Sequence, residues 1–237
     1  MPRSSRSSSQ SNVTRIAVLA SGSGSNLQAI LDYLDFLGSA APGKVVLVAS
    51  DRPQAGAVEK ARARKIKTVI LRETSGAKSR EMETLLAAHK IDLVVLAGYL
   101  TLVPSAVVDG YANRIVNIHP ALLPAFGGQG MYGLRVHQAV INAREKISGA
   151  TVHLVTHEFD RGPILAQWPV PVLPTDDAAQ LAERVLAVEH ALYPRVVAAL
   201  AAGKRDRFPL KPATKYFANP PVSADAIPSQ IDALLAG

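Results

Sequence analysis

Five apolar runs of strand length, separated by stretches of helical periodicity, constrain the first half of this chain more than any other feature. The runs cover residues 15–20, 44–49, 67–71, 92–97 and 114–118. Between them the apolar spacing turns helical over 26–36, 55–64 and 79–89. In the first of these, Leu27, Ile30, Leu31 and Leu34 share one face. Strands that are apolar on both faces need cover on both faces, which is the condition of a parallel sheet with crossover helices. The pattern changes after residue 149. Two strand-like runs, 149–156 and 164–172, have no helix between them and predict a hairpin-like antiparallel extension. A long helix is expected over 177–202, with Asp177 and Gln180 at capping-box spacing and Gly203 as a C′ residue. The expected fold is therefore α/β: a mostly parallel twisted sheet with helices on both faces, Rossmann-like, ending in a C-terminal antiparallel extension.

Residues 15–203 read as one domain. Residues 1–14 read as a disordered basic, serine-rich tail, and 204–237 as a partly irregular extension of the same domain. With 48% hydrophobic and 19% charged residues among 237, the chain has enough apolar side chains for a full core. It contains no cysteine, which excludes disulfides, thiolate metal sites and a cysteine nucleophile. The N-terminus lacks an apolar core of the kind secretory signals carry, and no run is long enough to span a membrane, so a cytoplasmic protein is expected. The net charge of +7 is scattered and has few aromatics among its basic residues. It suits small anionic ligands better than nucleic acid.

Four segments carry candidate chemistry. Ser21-Gly-Ser-Gly-Ser-Asn26 joins a strand to a helix, where backbone N–H groups and the helix dipole can hold a phosphate. It lacks a P-loop lysine, and Leu27 stands where a dinucleotide loop has its third glycine. Ser25 and Gln28 have capping-box spacing. At the end of the fifth strand, Asn117 and His119 project to one side. An amide donor and an imidazole aimed at one point suit a tetrahedral intermediate; a satisfied pair capping the strand is the alternative. Asp160, before Arg161-Gly162-Pro163, is either an ordinary turn carboxylate or a partner that orients His119 and raises its pKa. Glu189 lies on a helix beside Val185 and Leu192, either with a cationic partner or partly exposed. His153 alternates with apolar residues and reads as structural, while His137, in a helix after the glycine-rich stretch 126–133, is within reach of a ligand. That stretch suits a lid. No spacing suggests a metal site.

Taken in order, Ser21-Gly-Ser-Gly-Ser-Asn-Leu-Gln28, Leu96-Ala-Gly98, Asn117-Ile-His-Pro-Ala-Leu-Leu-Pro124, Asp160-Arg-Gly-Pro163 and Glu189-His-Ala-Leu-Tyr-Pro194 resemble the folate-dependent glycinamide ribonucleotide formyltransferase family over about residues 15–200. The resemblance implies a formyltransferase fold and a reaction in which an amine takes the formyl group of 10-formyltetrahydrofolate. It implies Asn117, His119 and Asp160 as catalytic residues, with protonated His119 and Asn117 stabilising the oxyanion. Gly24, Ser25, Asn26, Leu27 and Gln28 would hold the ribonucleotide phosphate and ribose, and Glu189 its amine. Arg80, Leu100, Thr101, Leu102, Val103, Asn117, Thr156, His157, Glu158, Phe159 and Asp160 would contact the folate. Thr101 stands where many relatives carry arginine, and Arg161 where glycine is common. The resemblance implies small-molecule partners, a monomer or homodimer, and no nucleic acid, membrane or metal. Two other readings stay open: a formyltetrahydrofolate hydrolase, whose family usually carries a preceding regulatory domain, and a non-catalytic basic binding protein. A transfer-RNA formyltransferase is disfavoured by the short segment after Gly203.

Overall fold

The computed structural model describes residues 13–71, 75–204 and 226–236. Most of the expected N-terminal tail and of the 204–237 extension lies outside the described residues. Five strands, β1 (Thr14–Leu19), β2 (Gly43–Ser50), β3 (Lys67–Ile70), β4 (Leu93–Leu96) and β5 (Ile115–His119), run parallel, and β6 (Ile147–Leu154) and β7 (Ile164–Pro171) complete the sheet in antiparallel fashion. The spatial order is β3-β2-β1-β4-β5-β6-β7.

Helices cover both faces, as the doubly apolar strands require. On one face α1 (Ser25–Leu37), α2 (Gly56–Ala63), α5 (Leu134–Asn142), α6 (Ala178–Ala201) and α7 (Ile227–Ala236) contribute to a core that includes Ile16, Val18, Leu27, Ala57, Val140, Val185, Tyr193 and Ile231. On the other, α3 (Ser75–Ala88) and α4 (Ser105–Gly110) bury Met82, Leu86 and Val107 against Leu19, Leu47 and Val94. Helix α3 starts four residues before the expected boundary. Neither α4 nor α7 is apparent from the sequence: α4 has six residues, too few to establish a period, and α7 follows a Pro-rich stretch.

Helix α6 has both of its expected ends. Gln180 N–H donates to Asp177 Oδ1 at 2.8 Å and Asp177 N–H to Gln180 Oε1 at 2.9 Å, a reciprocal cap. At the other end Gly203 takes a φ of 72°, and Gly203 N–H and Lys204 N–H donate to Leu200 O and Ala199 O, a Schellman closure. In the middle of α6 the fully buried Tyr193 hydroxyl sits 2.8 Å from Leu96 O of β4 and 3.0 Å from Val116 O of β5. It ties the helix to the two strands that lead into the cleft described below.

The strand order reverses between β1 and β4. Chains leaving the carboxyl ends of these strands go opposite ways and open a crevice, where ligands bind in such sheets. The two loops are stitched together at its floor: Ser21 N–H donates to Gly98 O, and Leu100 N–H to Ser21 Oγ.

Replacing Tyr193 by Phe removes the single O–H that the buried Leu96 O and Val116 O share. The variant is expected to lose about 1–3 kcal/mol in urea unfolding, and an unchanged midpoint would contradict the tie.

Candidate active site

A cleft of about 650 Å³ opens at this crevice. It is walled by the loop after β4, the end of β5, the 128–135 loop, the β6–β7 connection and one side of α6.

Asn117 and His119 reach it from β5, whose register sets them opposite His153 and Thr151 of β6. His119 is 3% exposed; its Nε2 lies 2.9 Å from Phe126 O, so that nitrogen carries the proton. Its Nδ1 faces Asp160 Oδ2 at 3.5 Å. His153 donates from Nδ1 to Leu154 O at 2.8 Å. In its neutral form Nε2 then accepts from Asn117 Nδ2 at 3.1 Å, which orients the amide and frees its second N–H. The same Nε2 lies 3.5 Å from Asp160 Oδ1. Asp160 is therefore flanked by two imidazoles, and its Oδ2 also accepts from Gly128 N–H at 2.9 Å.

The local sequence explains why a carboxylate stands there. Asp160 has a φ of 55°, the left-handed region that Asp tolerates better than most residues. Two residues later, a Cβ on Gly162 would lie 1.7 Å from Leu154 O, so only glycine allows the chain to pass the end of β6 so closely. Leu154 N–H then donates to Pro163 O and closes the connection. The glycine-rich segment expected to form a lid packs against this turn through Gly127 and Gly128.

Charge at the centre differs from the sequence expectation. Burial lowers the His119 pKa; the Asp160 carboxylate and the Phe126 carbonyl push it up, and His153 lowers it further. Burial wins, so the net shift is downward and His119 is neutral in the unliganded cleft at neutral pH. The expected upward shift fails because desolvation outweighs one carboxylate 3.5 Å away. For Asp160 the balance is the reverse. Burial raises its pKa, but His153, His119 and the Gly128 N–H together hold it below the usual carboxylate value.

Glu189 enters the cleft from α6. It is 7% exposed, neither partly exposed nor ion-paired: its Oε2 accepts from Asn26 Nδ2 at 2.6 Å. Burial pushes its pKa up to about 7, against the lowering effect of Asn26. Asn26 Oδ1 is buried with no hydrogen-bond partner among the described residues.

The capping box expected at Ser25 and Gln28 does not form. Gly24 is the N-cap, with a φ of 76°, because its backbone passes so near Ala57 that a Cβ would meet Ala57 Cα at 2.6 Å. Gln28 donates instead to Asp32 Oδ1. Gly24, Ser25, Leu27 and Gln28 form the turn behind Asn26, with Leu27 in the core. The N–H groups of Ser25 and Leu27 lie in the first turn of α1, whereas Gln28 N–H donates to Gly24 O.

Leu100, Thr101, Leu102, Val103, Thr156, Glu158 and Phe159 line the cleft. Thr101 Oγ1 is committed to Asp51 Oδ2 at 2.6 Å. His157 pairs with Asp109 at 3.1 Å on the outside. Arg80, on α3, lines a separate depression with Val69 and Leu85. His153 was read as structural, yet it is part of the polar centre. Only the β5–β6 register brings it opposite Asn117, and residue spacing does not reveal that register. Among the described residues, no group of three or more His, Asp and Glu side chains is arranged to hold a metal ion, and no helix is long and apolar enough to cross a membrane.

The formyl transferase family model matches residues 14–197. The chloroplastic phosphoribosylglycinamide formyltransferase of Arabidopsis thaliana is 42% identical over 191 residues, covering 78% of this chain and 65% of that protein. The Escherichia coli phosphoribosylglycinamide formyltransferase is 39% identical over 194 residues, covering 80% and 88%. The crystal structure of glycinamide ribonucleotide transformylase 1 from Symbiobacterium toebii superposes with a TM-score of 0.74 at 40% identity, covering 81% of this chain and 89% of that one. The chain spans 65% and 60% of the two plant relatives, from Arabidopsis thaliana and Vigna unguiculata.

Glu189 also imposes a pH dependence on stability. Its folded pKa of about 7 lies above its unfolded value, so between the two the folded state holds the extra proton. Its contribution is thus present at low pH and is lost as pH rises from about 4.3 towards 7. The difference in unfolding free energy between wild type and Glu189→Gln is expected to fall by about 3 kcal/mol across that window and then level off. A flat difference would contradict the buried assignment.

Proposed function

The chain belongs to the formyl transferase family, and on that premise we propose that it transfers the formyl group of 10-formyltetrahydrofolate to the amine of glycinamide ribonucleotide. The products are formylglycinamide ribonucleotide and tetrahydrofolate, as a step of purine synthesis. The names of its relatives support this acceptor. The observation that carries the reading is one cleft lined by two polar groups. Asn117, His119 and Asp160 lie together, and the Asn26–Glu189 pair lines the same space.

In this reading the α1 turn, Gly24 to Gln28, holds the phosphate and ribose, the N–H groups of its first residues facing the phosphate and the Gln28 side chain the ribose. Glu189 and the unpaired Asn26 Oδ1 accept N–H bonds from the amine. The folate lies along residues 100–103, 156 and 158–160 of the cleft wall; Arg80 and His157, expected to contact it, stand outside the cleft. The amine nitrogen attacks the formyl carbon, and the carbonyl pair moves to oxygen, where the free Asn117 N–H stabilises it. Neutral His119 takes the proton the amine sheds, on Nδ1, and Asp160 offsets the imidazolium charge. Collapse breaks the bond to the folate nitrogen, which receives that proton, so the protein ends as it began. The chain works in the cytoplasm on small molecules, as a monomer or homodimer, without nucleic acid, membrane or metal.

Mixing the purified protein with 10-formyltetrahydrofolate is expected to release tetrahydrofolate only when glycinamide ribonucleotide is present. Equal release without it would identify a hydrolase, and no release a binding protein. His119→Ala and Asp160→Ala are expected to stay folded and to lose at least about 100-fold in kcat; full activity in either would sink the mechanism.

A further inference from the structure

Thr101 lines the cleft, but the group that holds it does not. The wall is tied at Leu100, whose N–H donates to Ser21 Oγ, and then runs through residues 101–103 before α4 begins. Among the described residues, no hydrogen bond reaches the backbone of Leu102 or Val103. The course of this stretch therefore rests on Val103, packed into the core, and on the Thr101 hydroxyl. Thr101 Oγ1 donates to Asp51 Oδ2 at 2.6 Å. A single torsion separates that hydroxyl from the main chain, and β-branching stiffens it. A bond made there fixes backbone as well as side chain.

Asp51 follows β2, and β1 lies between β2 and β4 in the sheet. Its bond to Thr101 therefore reaches across the end of β1. Ser50 fixes the turn that presents it: Ser50 Oγ donates to Arg52 O and accepts from Arg52 N–H, both at 3.0 Å. The other oxygen of Asp51, Oδ1, is buried with no hydrogen-bond partner among the described residues. A buried acceptor left unpaired costs stability, so packing alone does not account for an acid at this position. We propose that Asp51 is a positioning residue for the formyl donor: through Thr101 it holds the 100–103 wall in the course along which the folate lies. The proposal rests on the formyl-transfer reading. It gives Asp51 no contact with either substrate and no part in the proton transfers.

The test compares wild type with Asp51→Ala, Thr101→Val, their double variant, and Asp51→Asn, whose amide oxygen still accepts. Thermal unfolding establishes that each is folded. Asp51→Ala and Thr101→Val are each expected to raise the KM for 10-formyltetrahydrofolate about tenfold, with kcat and the KM for glycinamide ribonucleotide within about threefold of wild type. The double variant is expected to be no worse than either single one, because both remove the same bond. Asp51→Asn is expected to recover most of the loss. Should Asp51→Ala not fold, Thr101→Val set against Thr101→Ser, which keeps the hydroxyl, reads the same split. The proposal is overturned by an unchanged folate KM, by equal rises in both KM values, by a loss confined to kcat, by a double variant whose effect is the product of the two singles, or by a loss that Asp51→Asn shares in full. A wild-type protein that transfers no formyl group would overturn the parent reading, and this proposal with it. An active wild type whose folate KM is indifferent to Asp51 overturns this proposal alone.

Discussion

A carboxylate taken out of water must be compensated or it will take up a proton. Asp160 accepts from Gly128 N–H, and the rings of His119 and His153 lie 3.5 Å away, each able to take a proton on the nitrogen that faces it. Each of these partners comes from a different part of the fold. His119 ends β5, His153 sits on β6, and Gly128 belongs to the glycine-rich loop. One carboxylate therefore gathers groups from two strands, already paired in register, and a loop. The left-handed turn at Asp160 and the close passage at Gly162 hold the carboxylate in place.

The cleft contains a second buried carboxylate with the opposite solution. Glu189 has one neutral donor, Asn26, and its pKa rises to about 7. Burial raises the Asp160 pKa too, but His153, His119 and the Gly128 N–H hold it below the usual carboxylate value. Environments that push like groups apart in this way are how one site keeps separate proton-handling roles. In the proposed reaction Asp160 balances a transient cation, while Glu189 accepts an N–H bond from the amine. The neutrality of His119 belongs to the same design. A histidine already charged could not accept the proton that the amine sheds.

The sheet, its antiparallel extension and both caps of α6 were legible because each rests on local pattern: apolar runs, a capping box and a terminal glycine. The strand-end pair Asn117 and His119 was legible for the same reason, since alternation along a strand is a local rule. The roles of His153 and Glu189 were not. His153 matters because β6 lies antiparallel to β5 in one register, and Glu189 because α6 buries it against Asn26, 163 residues away in sequence. The failed capping box at Ser25 has a similar cause. A contact with Ala57, on the next helix, dictates the backbone at Gly24. The sign of the His119 shift depended on burial, which spacing does not report.

The central claim is that His119 waits neutral, with Asp160 beside it to stabilise the proton it receives. NMR titration of the His119 ring tests this directly in the unliganded protein. The account predicts a midpoint below the ordinary imidazole value of about 6.5, and a lower one still in Asp160→Asn, where the stabilising charge is gone. A wild-type midpoint above the ordinary value, or one indifferent to Asp160→Asn, would contradict it.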